Sequence, residues 1–321
     1  MRIQVAHDDE PNGGRMMRVT ITGATGTIGA ALARALRERG DQVVALSRDA
    51  ERARRALGGD VEVSVWSDPT SAPPPAAALR GADAVVHLLG EPIDQRWTPE
   101  AKRRIADSRV LGTRSLVAGL RALEAEQRPR VLVSQSAVGY YGPRRDDTRL
   151  TEDAGPGTGF LADVVVGWER EAEAAAGMMR VARTRTGVVL SGRGGALARM
   201  LPFFKLGLGG PVAGGRQYVP WIHLDDVVRG LVHCVDDGRA NGPLNLTAPA
   251  PVTNAELSRA LGRALGRPAV LPVPGPALRL LYGEMAELVC AGQRAVPARL
   301  EELDFEFAHP ELEAALRDVV G

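Results

Sequence analysis

The stretch Thr22-Gly23-Ala24-Thr25-Gly26-Thr27-Ile28-Gly29 joins RVTIT (18–22), a β-branched run that reads as a strand, to ALARALRERG (31–40), whose leucines and alanines recur at helical spacing. Gly40 falls where a glycine would stop that helix. Each glycine of the turn has a separate physical use. Gly23 permits the tight turn, Gly26 lets backbone approach a phosphate, and Gly29 lets the helix pack against the strand. The helix start offers free N–H groups and a partial positive charge to an anion. The context predicts a bound dinucleotide, with Gly23, Thr25, Gly26, Thr27, Ile28 and Gly29 around its phosphates. A plain glycine-rich turn is the structural alternative.

Outward from this turn, strand and helix alternate. QVVAL (42–46), VEVSVW (61–66), ADAVVHLLG (82–90), RVLVSQS (130–136) and MRVARTR (179–185) read as strands. The fourth is nearly all apolar, as in a strand buried on both faces. Helices are expected from Thr98-Pro99-Glu100 to about Gln127 and over 160–177. After Gly187 glycine and proline punctuate the chain, with helical stretches near 196–206, 224–237, 253–265, 277–290 and 308–320. PLNLT (243–247) is a candidate for return to the sheet. The expected fold class is α/β, a Rossmann-type doubly wound parallel sheet with a smaller, mostly helical C-terminal lobe. Residues 1–17 read as a flexible leader, 18–187 as the nucleotide-binding domain with 216–247 returning to it, and 188–215 with 248–321 as a substrate lobe.

Composition narrows the function classes. The 321 residues carry 40 Lys+Arg against 39 Asp+Glu, a net charge of +1. This balance does not favour nucleic acid or an acidic membrane as partner. No apolar run reaches the roughly 18–20 residues that span a bilayer. MRIQVAHDDE lacks the apolar core of a secretory signal. Cys234 and Cys290 are too few for a disulfide framework or a cysteine-rich zinc site, and no metal site is expected. The expectation is a reduced, cytoplasmic protein with a small-molecule substrate, a homodimer being compatible with it.

The tip of the second strand, Leu46-Ser47-Arg48-Asp49, bears on cofactor choice. An acid there would take a ribose 2′-OH. Ser47 and Arg48 offer instead the hydroxyl and guanidinium that suit a 2′-phosphate, so NADP(H) is favoured over NAD(H), with Asp49 as a complication.

GATGTIG, HLLGEPI (87–93), Trp97, SRVLGT (108–113), SQSAVGYYG (134–142), TGVVLSGRGGAL (186–197), FKLGLGG (204–210), WIHLDD (221–226) and PVTNAEL (251–257) together resemble the atypical extended short-chain dehydrogenase/reductase-like epimerase family, of NAD(P)-dependent epimerase/dehydratase type. GEMAELVCAGQRAVPARLEELDFEFAHPELEAAL (283–316) resembles that family's C-terminal segment, and the likeness covers about 18–320. It implies bound NADP(H). By the same resemblance Leu88, Leu89 and Gly90 lie under the adenosine ribose, and Ser136 lies at or next to the serine beside the nicotinamide. Thr186, Gly187 and Val188 lie near the carboxamide, and Arg109 and Ser134 join the cofactor set.

The chemistry departs from the broad superfamily, which uses a Tyr-x-x-x-Lys pair. Tyrosine occurs only at 140, 141, 218 and 282 and lysine only at 102 and 205, so no such pair exists. Its positions correspond to the apolar Leu161 and Val165. Candidates to replace it are Tyr140 and Tyr141, with Arg144 or Arg145 as a nearby cation, His223, and Ser136 as a carbonyl hydrogen-bond donor. Each has a structural alternative: aromatic packing for the tyrosines, and for the His223 segment a hold on the next helix through capping at Asp225. His87, inside an apolar strand, reads as a satisfied core histidine. The functional expectation is an NADP(H)-binding oxidoreductase or epimerase-like enzyme acting on a small carbonyl or alcohol. The alternative is a catalytically silent NADP(H)-binding redox sensor or interaction protein.

Overall fold

The computed structural model describes residues 15–192 and 194–321. The expectation for residues 1–14 lies outside them. Met17, the last residue assigned to a flexible leader, is instead buried directly before β1, and its N–H donates to Asp41 Oδ1 at 3.0 Å.

Seven strands form one sheet: β1 (Arg18–Thr22), β2 (Gln42–Ser47), β3 (Glu62–Val65), β4 (Ala84–His87), β5 (Val131–Ala137), β6 (Arg180–Thr186) and β7 (Gly242–Leu246). Their order is β7-β6-β5-β4-β1-β2-β3, and every pairing is parallel. The chain runs outward from β1 in both directions. The crevice between β1 and β4 is therefore the point where strand order reverses, the place where doubly wound sheets bind ligands. Thr22 ends β1 level with Leu46 on one side and His87 on the other, so three loops emerge at one height.

Both faces of the sheet are covered, which is why β4 is apolar and fully buried. Val19, Ile21, Val86 and Val133 face α1 (Thr27–Arg39) and α6 (Leu224–Asp236). Val85, Leu132 and Val181 face α3 (Pro99–Arg121). The outer helices α2 (Ala50–Leu57) and α4 (Phe160–Glu173) complete these layers. Gly40 ends α1 at φ 97°, a left-handed value that glycine adopts without strain. Thr98 caps α3, accepting from Ala101 N at 3.2 Å.

PLNLT does return to the sheet, as β7 beside β6. The remaining chain packs α5 (Gly195–Lys205), α7 (Asn254–Leu265) and α9 (Leu312–Val320) around Trp221, Phe204 and Leu261. The short parallel pair Val188–Leu190 and Trp221–His223 connects this cluster to the sheet. Several helix expectations change: the 160–177 helix ends at Glu173 and the last begins at Leu312. The third helix stops at Arg121, and 125–127 form a separate 3₁₀ turn. The stretch 277–290 is divided: α8 (Gly275–Tyr282) ends at Gly283, whose φ of 61° breaks the helix. No described helix is long and apolar enough to cross a membrane.

Candidate functional site

The turn after β1 is tight because it has no room for side chains. A Cβ on Gly23, at φ +65°, would sit 2.5 Å from Leu88 O, and one on Gly29 would sit 2.3 Å from Gly23 O. Gly26 N donates to Gly23 O at 3.0 Å and closes the turn. α1 then starts with no side-chain cap and no acid in its first turn. Its leading N–H groups face outward past exposed Gly26 and Thr27, with Thr25 and Ile28 half-buried beside them. This donor set fits a diphosphate. Gly194 lies across the same mouth, where a Cβ would meet Thr27 Oγ1 at 2.4 Å.

At the end of β2, Ser47 is half-buried and Arg48 exposed, and Arg48 makes no hydrogen bond or ion pair among the described residues. Asp49 caps α2, its Oδ1 accepting from Arg52 N at 3.0 Å. That use removes the complication at the tip, since the acid serves the helix start. Ser47 Oγ also serves it, accepting from Asp49 N at 3.2 Å.

The loop after β4 is held from below. Leu88 N donates to Thr22 Oγ1 at 3.0 Å, and the Thr22 hydroxyl lies 2.8 Å from His87 Nδ1. His87 Nε2 lies 2.9 Å from Thr113 Oγ1, which donates to Arg109 O at 2.6 Å. These directions assign the His87 proton to Nε2 and tie the loop to α3. Burial pushes His87 down to about 3, so the ring is neutral. Arg109, expected in the cofactor set, braces this loop. Its Nη1 donates to Glu91 O at 3.0 Å and Ile105 O at 3.1 Å, and its guanidinium packs under Gly90. Burial pushes it down to about 10.

The far end of the crevice holds a buried charge cluster that the sequence reading missed. Arg185, near the end of β6, donates from Nε and Nη2 to the two oxygens of Glu169 at 2.8 and 2.9 Å. Its Nη1 donates to Tyr141 Oη at 3.0 Å and Glu152 O at 3.2 Å. Burial opposes the Arg185 charge, but the Glu169 contacts outweigh it and raise its pKa. Ser136 belongs to this cluster: its hydroxyl donates to Glu169 Oε1 at 2.6 Å and is buried. It faces α4, the helix that carries Leu161 and Val165, because residues alternate along β5 and Ser136 shares the face of Leu132. Tyr141 is likewise buried. Its hydroxyl donates to Asn245 Oδ1 at 2.7 Å, and burial pushes it up to about 12. Arg144 pairs with Asp146 and Arg145 is exposed, so the cation beside the phenols is Arg185.

Tyr140 differs from its neighbour. It is half-buried, its ring lies 3.5 Å from the Arg185 guanidinium carbon, and its hydroxyl has no partner among the described residues. Beside it, Gly139 lies against Leu161 and Val165 of α4 at 3.8 and 3.9 Å from an ideal Cβ. The place of the missing dyad is thus apolar.

Ser134 is buried within β5. Thr186 Oγ1 donates to Thr184 O at 3.2 Å, while Gly187 N and Val188 N donate to Leu246 O and Pro220 O at 3.0 and 2.8 Å. His223, a proton-transfer candidate, is buried as the N-cap of α6, its Nδ1 accepting from Asp225 N at 3.2 Å. Burial first, then the neighbouring His309, lowers its pKa.

Comparison with known proteins agrees with this geometry. The family model described as "NAD dependent epimerase/dehydratase family" matches residues 19–246, and a domain of unknown function, DUF1731, matches 273–319. The epimerase family protein Mb2239 of Mycobacterium bovis is 42% identical over 93% of this chain and 96% of its own length. The chloroplastic SDR39U1 homolog of Arabidopsis thaliana is 40% identical over 95% of this chain and 87% of its own. The crystal structure of human epimerase family protein SDR39U1 (isoform 2) with NADPH superposes with a TM-score of 0.85 at 33% identity, covering 94% of this chain and 99% of that one. The chain belongs to the NAD dependent epimerase/dehydratase family.

Proposed function

We propose that this chain binds NADP(H) in the β1–β4 crevice and acts as an oxidoreductase or epimerase-like enzyme on a small carbonyl or alcohol. One observation carries the reading: the uncapped start of α1 behind Gly23, Gly26 and Gly29 lies level with Ser47 and a free Arg48, while Asp49 is engaged at α2. The human relative whose structure contains NADPH supports the same choice.

When bound, the cofactor supplies a hydride at nicotinamide C4. The chain's own residues do the rest. Backbone N–H groups at the start of α1 hold the diphosphate, and Arg48 with Ser47 holds the 2′-phosphate. Leu161 and Val165 keep water from the reacting end. Tyr140 donates or accepts the substrate proton, its ring held against the Arg185 guanidinium. Glu169, Ser136 and Tyr141 are positioning residues that hold Arg185 there. A cytoplasmic setting belongs to the same proposal, supported by two free thiols, Cys234 and Cys290.

The test is NADPH oxidation against a panel of aldehydes, ketones and quinones. Turnover that falls in Tyr140→Phe with NADPH affinity intact supports the reading. Tight NADPH binding without turnover across the panel would favour the redox sensor, a reading to which the apolar Leu161 and Val165 already lend weight.

A further inference from the structure

Four side chains that the cofactor site does not use converge beside the start of α6. His223 is the N-cap of that helix and Asp225 lies in its first turn. His309 lies in the loop before α9, and Asp318 lies in the last turn of α9. One ligand atom from each lies within 4.8 Å of all the others. His223 Nε2 is 3.2 Å from Asp318 Oδ2, His309 Nε2 is 3.7 Å from Asp225 Oδ2, and the two imidazoles lie 3.8 Å apart at a 36° tilt.

The arrangement is built rather than incidental. Asp226 is fully buried and accepts from Ala308 N at 2.7 Å and His309 N at 2.9 Å, so the loop carrying His309 is fastened to the first turn of α6. His223 is buried at 4% exposure, whereas both aspartates are 58% exposed. The cluster thus has a fixed imidazole at its base and an opening toward solvent through which an ion can enter. Two imidazoles and two carboxylates are four donors of the borderline and hard types, and their net charge of −2 matches a divalent cation.

We propose that His223, Asp225, His309 and Asp318 form a divalent-metal site of the zinc type, joining the C-terminal helix to the start of α6. The ion takes the lone pair of His223 Nε2, which lies 3.2 Å from Asp318 Oδ2. The ring then carries its proton on Nδ1, which exchanges the 3.2 Å capping contact from Asp225 N for the Asp225 carboxylate, whose Oδ2 lies 3.9 Å away. Bound metal fastens residues 309–318 to the start of α6. It thereby stabilises the folded chain in proportion to its occupancy.

The test uses the full, untagged chain at pH 7.5 with zinc sulfate alone, read by calorimetry, and cobalt chloride, read by visible absorption. The expected result is one saturable equivalent, a rise in melting temperature with zinc, and the intense visible bands of a four-coordinate cobalt ion. Binding weakens by about tenfold or more in His309→Ala and in Asp318→Asn. Both residues have exposed or half-buried side chains, and an unchanged metal-free melting temperature checks their folding. His7 with Asp8 and Asp9 is the competing site elsewhere in the sequence, so His7→Ala is the control and should leave binding intact. Absence of saturable binding, undiminished binding in both cluster variants, or loss confined to His7→Ala would each overturn the proposal.

Discussion

Ser136 Oγ donates to Glu169 Oε1 across 2.6 Å, and both groups are buried. Glu169 also receives both arms of Arg185, so one carboxylate organises the polar end of the crevice. Removing its charge leaves Arg185 buried without compensation. Glu169→Ala should therefore cost about 3–5 kcal/mol in urea unfolding. Ser136→Ala deletes one donor while the ion pair survives, and should cost about 1–3 kcal/mol. A Ser136→Ala variant of unchanged stability that loses all turnover would make Ser136 a substrate contact rather than a support of Glu169.

The adjacent tyrosines should separate by phenotype. Tyr141→Phe removes a hydroxyl that contacts Arg185 and Asn245, so it should lower stability by about 1–3 kcal/mol. Tyr140→Phe removes a hydroxyl with no internal partner. It should leave the unfolding midpoint nearly unchanged and lower kcat by about 10²–10⁴-fold on any substrate the panel identifies.

Much of this architecture is legible in the residues. The glycine turn, the apolar β4, the Gly40 stop and the Thr98 cap each have one local cause, so local sequence suffices. Arg185 and Glu169 were illegible for the opposite reason. Arginines dot the strand RVARTRT, and Glu169 sits in the polar run WEREAE, where nothing local separates a buried charge from a solvated one. One signal was present: Glu169 lies four residues after Val165 and three before Ala172, on the buried stripe of α4, and a buried acid requires a partner. The roles of Ser136 and His223 depended on which way a strand faces and which helix returns, which are tertiary facts.

Acid should weaken the fold through His87. The folded ring titrates at about 3 against 6.5 when exposed, so between those values the unfolded chain binds the extra proton. Stability from this group is complete above about pH 6.5 and falls by about 1.4 kcal/mol per unit as pH drops toward 3. His87→Gln should show a shallower decline than the parent over that window. Parallel curves for the two proteins would contradict the assignment.

Gly29→Ala tests the turn itself. Its Cβ would lie 2.3 Å from Gly23 O and 2.7 Å from Ala24 Cα, both backbone atoms with little room to yield. The helix must shift off β1, and NADPH affinity should fall by about tenfold or more, a loss above about 1.4 kcal/mol. Retained affinity would mean that α1 does not need this close approach.

The central claim is that the β2 tip holds a 2′-phosphate while α1 holds the diphosphate. Dissociation constants of NADPH and NADH, measured by fluorescence on the parent and Arg48→Ala, address it most directly. NADPH should bind more tightly than NADH, and Arg48→Ala should weaken NADPH by about 10–100-fold, equivalent to about 1.4–3 kcal/mol, with NADH nearly unchanged. Equal losses for both nucleotides, or binding of neither by the folded parent, would contradict it.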